Sequence, residues 1–97
     1  MIYHIADKII WEQSKVTGYY EHPTLALEGF IHTCYEDQIA SVRKRYYTGV
    51  SGLILLHIDE TLVTVPIRYE VAPSVQEVFP HIYGPLNTNA VIKAEIL

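Results

Sequence analysis

The run Gly52–Asp59, GLILLHID, constrains this chain most, because its apolar residues follow one another without alternation. A strand of that kind is buried on both faces, so the rest of the chain has to cover it from two sides. A length of 97 residues suffices for one domain with a single modest core and is too short for two. With 49% hydrophobic and 19% charged residues, the composition is that of an ordinary folded protein. One domain over residues 1–97 is therefore expected.

Around that strand the other elements can be read in turn. Ile2–Ala6 alternates as a strand, with Ile2, His4 and Ala6 on one face and Tyr3 and Ile5 on the other. Asp7 is a suitable N-cap for a helix over Lys8–Thr17, and Gly18 is its expected terminator. Tyr19–Pro23 reads as a loop, and Thr24–Glu28 as a short helical turn closed by Gly29. Phe30–Thr33 reads as a strand placing Phe30, His32 and Cys34 on one face. A helix over Glu36–Tyr47 follows, with Ile39, Val42 and Tyr46 inward, ended by Gly49 and Gly52. Val65–Val71 and Ala90–Leu97 complete the set as strands, with Arg68 and Glu70 on one face of the former. The order is strand, helix, turn, strand, helix, strand, strand, strand. It predicts an α+β fold of two helices on a twisted, partly antiparallel sheet.

Several function classes are disfavoured at once. Seven basic against eleven acidic residues give a net charge of −4, unsuited to broad phosphate neutralisation, so no general nucleic-acid binding is expected. No window approaches the roughly 18 apolar residues of a membrane span. Asp7 and Lys8 interrupt the first apolar residues before a secretory h-region forms, and a single cysteine allows no internal disulfide, so the expected compartment is the cytoplasm. The five histidines lie far apart without metal-ligand spacing; His57 with Asp59, or His32 with Cys34, would be the nearest to a pair, and no metal is predicted. Cys34 reads as a small buried hydrophobe and Arg43–Arg45 as the solvated face of a helix.

Three histidines resist a purely structural reading. His4, His32 and His81 stand in IYHIA, EGFIHTC and VFPHIYGPL, embedded among aromatic and branched residues near the ends of elements. From the residues alone, packing and ligand contact are balanced for these three.

The series IYHIA, W-x(6)-G-Y, LALEGFIH, Gln38, LLHID, RYE and FPHIYGPL resembles the small bacterial DUF952 family over nearly the whole chain. That family in turn looks like a compact relative of the ADP-ribosyltransferase fold, a split β-sheet that binds NAD in a cleft. Tyr3-His4 is similar to the Tyr-His of the first motif in that fold, Gly29-Phe30 to its turn, and Ile31-His32-Thr33 to its second strand. The departures are Ile5-Ala6 in place of Gly-Thr, and Cys34-Tyr35 in place of Ser-Thr.

The resemblance implies a split sheet and a small-molecule nucleotide partner, with NAD as the substrate to consider. It implies His4, His32 and Glu70 as catalytic residues: His4 on a ribose hydroxyl or the nicotinamide amide, His32 lining the pocket, and Glu70 polarising a hydroxyl, with Asp59 as its rival. Tyr3, Phe30, His81, Tyr83 and Arg68 are the candidate nucleotide contacts, with ring stacking open to Tyr3, Tyr83 or Phe79; His81–Pro85 has no counterpart in that fold and is either a clamp over the site or a structured turn. The expected function is NAD or ADP-ribose binding, with transfer of ADP-ribose or a ribose-linked phosphate as its catalytic form. A non-catalytic ligand-binding or regulatory module is the alternative.

Overall fold

The computed structural model describes residues 1–97, which run through β1 (Ile2–Asp7), α1 (Lys8–Thr17), β2 (Tyr19–Tyr20), α2 (Pro23–Glu28), β3 (Ile31–His32), α3 (Ile39–Tyr46), β4 (Leu53–Ile58), β5 (Ile67–Ala72), β6 (Glu77–Ile82), β7 (Leu86–Asn87) and β8 (Val91–Ile96). The architecture is α+β in one domain. Asp7 caps α1 by accepting from the amides of Ile9 and Ile10, and Gly18 ends it at φ +85°. The expected short turn is a third helix, α2, so the count of two helices is one too few. Its Pro23 stands in the first turn, where no amide donor is missed, and Gly29 stops it at φ +86°.

The strands form two three-stranded sheets, ordered β1-β4-β8 and β3-β6-β5, plus the small pair β2-β7. Every pairing is antiparallel, where only part of the sheet was expected to be. The two larger sheets meet at one bridge, Tyr3 with Cys34, whose amides and carbonyls exchange bonds of 2.8 Å. Beyond it, β1 and β3 separate.

β4 is covered on both faces, as its run of apolar residues requires. On one face Ile54, Leu56 and Ile58 join Ile2, Ala6, Trp11, Tyr20, Ile31, Ile82, Leu86 and Ala90 in the main core. On the other, Leu53 and Leu55 pack with Tyr3, Ile5 and Cys34, under Ile39, Val42 and Tyr47. Tyr47 takes the inward place expected of Tyr46, which is exposed. Tyr47 stands just past the last helical residue at φ −128°, off the helical path, and at the other end a 3-10 turn at Glu36–Gln38 leads into α3. Buried Gln38 fixes that turn: its side-chain oxygen accepts from the Tyr35 amide at 2.9 Å, and its Nε2 donates to the Val78 carbonyl at 3.0 Å.

Candidate functional site

Strand register gathers the site. His81 on β6 lies opposite Arg68 on β5 and opposite His32 on β3. Directly paired residues project to the same face, so Arg68, His81 and His32 form one row across three strands. Glu70, two residues along β5, and Tyr83, just past the end of β6, share that face, as does Phe30 before β3. The opposite face of this sheet carries Ile31 and Ile82 into the main core.

Contacts within the group are close. Phe30 stacks on His81 with ring centroids 4.1 Å apart and planes at 17°, and also meets His32 at 4.8 Å and Tyr83 at 5.2 Å. The His32 and His81 rings are 5.3 Å apart at 76°. The Arg68 guanidinium lies over Tyr83, 4.7 Å from its centroid, and makes no ion pair. Glu70 accepts from His81 Nδ1 at 2.9 Å and from the Tyr83 hydroxyl through the same oxygen. These two donors, Tyr83 first and His81 second, hold the Glu70 carboxyl below its usual range, and Glu70 in turn raises the Tyr83 phenol. Glu70 is thus ionised at neutral pH and Tyr83 protonated. Glu28 accepts from His32 Nε2 at 2.5 Å.

Six expected residues therefore converge: Phe30, His32, Arg68, Glu70, His81 and Tyr83. Tyr3 and His4 do not. Tyr3 is on the far face of β1, packed with Cys34 and edge-on to His57. His4 faces inward beside Ile2 and Ala6 and is 3% exposed, so it does not open onto a cleft shared with His32. It fills the gap where β1 leaves β3. Its Nδ1–H donates to the His32 carbonyl at 2.5 Å, and its Nε2 accepts from the Tyr20 hydroxyl at 2.8 Å. Burial lowers its pKa to about 3, only partly opposed by the bond to the carbonyl, so the ring is neutral.

The other candidates resolve into structural parts. Asp59, the rival of Glu70, caps a 3-10 turn by accepting from the Thr61 amide and hydroxyl. His57 pairs with Glu95, apart from Asp59. Cys34 is buried, and desolvation pushes its thiol up to about 11, unlike the depressed value of a nucleophile. Arg43–Arg45 closes α3, where positive charge suits the helix C-terminus. The segment His81–Pro85 is no separate clamp: His81 and Ile82 belong to β6, and Tyr83–Pro85 form the turn after it.

Two contributors were missed. Glu28 orients His32, a pairing visible in EGFIH only once α2 is seen to end at Gly29. His22, which falls in the expected Tyr19–Pro23 loop, caps α2 through its Nδ1 and touches His4 edge-on at 5.2 Å. Two surface hollows lie elsewhere, one of about 550 Å³ beside α3 that includes Arg43 and Lys44, and one of about 320 Å³ beside His22.

A family model described as "Protein of unknown function (DUF952)" matches residues 5–94. Among solved structures, the crystal structure of protein CC0527 from Caulobacter crescentus is similar with a TM-score of 0.86 and 26% identity, over 96% of this chain and 82% of that one. The solution structure of CC0527 gives a TM-score of 0.84 and 26% identity, over 99% and 83%. No curated protein matches.

Proposed function

Because the chain belongs to the DUF952 family, whose function is unknown, its reading has to come from its own site, and we propose that it binds a nucleotide of the NAD or ADP-ribose class on the outer face of β5, β6 and β3. The observation that carries this reading is the cross-strand row of Arg68, His81 and His32, flanked by Phe30, Tyr83 and Glu70. Each part of such a ligand meets a suitable group. Phe30 and the imidazoles offer faces for an adenine or nicotinamide ring. Arg68, with no carboxylate of its own, suits a diphosphate. Glu70, an ionised acceptor, suits a ribose hydroxyl.

The split between β1 and β3 supports the finer reading of an ADP-ribosyltransferase-like fold. Were the glycosidic bond of NAD cleaved here, Glu70 would stabilise the developing oxocarbenium charge. One observation favours binding without that transfer: His4, the residue implied to hold the ribose, is withdrawn into the core.

Isothermal titration with NAD and with ADP-ribose tests the reading. Saturable heat at millimolar ligand is expected, with affinity lowered at least tenfold, about 1.4 kcal/mol, in Arg68→Ala and in Phe30→Ala. Absence of heat from both ligands would end it. Glu70→Gln separates the two forms, since ADP-ribose release from NAD that survives this change excludes the carboxylate mechanism.

A further inference from the structure

We propose that His81 and His32 form an acid–base couple that hydrolyses the cyclic phosphodiester of a ribonucleotide to a phosphomonoester, an activity that rests on this face taking a nucleotide, as read above. Each ring is held by its own carboxylate. Glu70 accepts from His81 Nδ1–H at 2.9 Å, which leaves the lone pair of His81 at Nε2. Glu28 accepts from His32 Nε2–H at 2.5 Å, which leaves Nδ1 as the free nitrogen. The neutral ring carries one proton, so an acidic partner on one nitrogen decides the role of the other. The two pairs stand side by side, with 5.3 Å between ring centroids. A phosphate seated over them would meet one imidazole on each side, within hydrogen-bond reach.

The third member of the row is the remaining part. Arg68 stands on the strand next to His81 and is committed to no carboxylate. Its planar donors match the non-bridging phosphate oxygens, where negative charge concentrates as water attacks.

The step balances with water alone. His81 Nε2 takes a proton from water as the water oxygen bonds to phosphorus, and the bond from phosphorus to the leaving oxygen breaks. His32, entering as the imidazolium, gives its Nδ1 proton to that leaving oxygen. One water is consumed, and a phosphomonoester and an alcohol are formed. Proton exchange with solvent resets both rings, and His32, whose side chain is 52% exposed, is the better placed to be recharged. Glu28 and Glu70 are positioning residues in this scheme.

The test uses adenosine 2′,3′-cyclic phosphate, followed by phosphorus NMR, with calorimetric binding of the same compound and of ADP-ribose in parallel. The monoester signal should grow with wild-type protein. His32→Gln and His81→Gln should each lower kcat by at least about 100-fold with KM changed little, the share usual for one acid or base. Arg68→Ala should act mainly through KM. Melting curves check that the variants fold, and His32→Gln, at the more exposed position, decides the matter should His81→Gln fail to fold. Binding of both compounds without monoester overturns the activity and leaves the nucleotide reading standing. Hydrolysis undiminished in a folded His32→Gln also overturns it. Binding of neither compound removes the nucleotide reading and this activity with it. Hydrolysis of the cyclic compound without ADP-ribose binding upholds the activity and narrows the ligand class.

Discussion

His4 shows how one residue can look like a site and serve as a joint. Its ring replaces the strand pairing that β1 and β3 lack beyond the Tyr3–Cys34 bridge, by bonding the His32 carbonyl. Both ring nitrogens are satisfied, which a buried polar group requires. Tyr20→Phe keeps the volume and removes the donor to His4 Nε2, leaving a buried acceptor unpaired. It should cost about 1–3 kcal/mol in urea denaturation, and an unchanged midpoint would contradict this role. The pH dependence follows in sign. An unfolded histidine takes its proton near pH 6.5, whereas burial holds His4 to about 3. This share of stability is therefore complete above pH 6.5 and is lost as pH falls from there toward 3, by up to about 1.4 kcal/mol per pH unit. In NMR titration of the native protein the His4 ring signals should stay fixed between pH 7 and pH 5. Titration near 6.5 would mean the ring is open to water.

Among the elements, those with a long or well-capped pattern were legible and those defined by a partner were not. Lys8–Thr17 is bounded by Asp7 and Gly18, and the helix has those bounds. β2 and β7 are two residues each, too short for any period, and exist only because they pair with each other. β6 escaped because Pro80 reads as a breaker in the middle of it. The strand tolerates the proline because its carbonyl side faces β3, which is already turning away. There the Pro80 carbonyl accepts from the Thr33 amide at 3.2 Å and hydroxyl at 2.6 Å, and the missing amide lies along the same side. The turn after β6 makes a further demand. Gly84 has φ +151°, and a Cβ there would lie 2.8 Å from a Val65 methyl. Gly84→Ala should cost about 1–3 kcal/mol from backbone strain and should loosen Tyr83 from Glu70. A melting temperature equal to wild type would show that the turn relaxes freely.

Taken whole, the molecule places an α3-covered core on one side of β4 and carries its candidate site on a second sheet joined to the first by a single bridge. The histidines themselves were legible, as residues set in apolar surroundings, but their division was not. His4 and His32 stand at similar places in two short strands, yet one points into the main core and the other away from it. That direction is set by the register of β3 against β6, a tertiary property that a two-residue strand does not encode. No helix is long and apolar enough to cross a membrane. The central claim is that the outer face of β3, β6 and β5 takes the nucleotide. Amide chemical-shift mapping during titration with ADP-ribose tests it most directly. Shifts should concentrate at Phe30–His32, Arg68–Glu70 and His81–Gly84. Saturating shifts confined to β1, β8 or the hollow beside α3, or none at millimolar ligand, would contradict it.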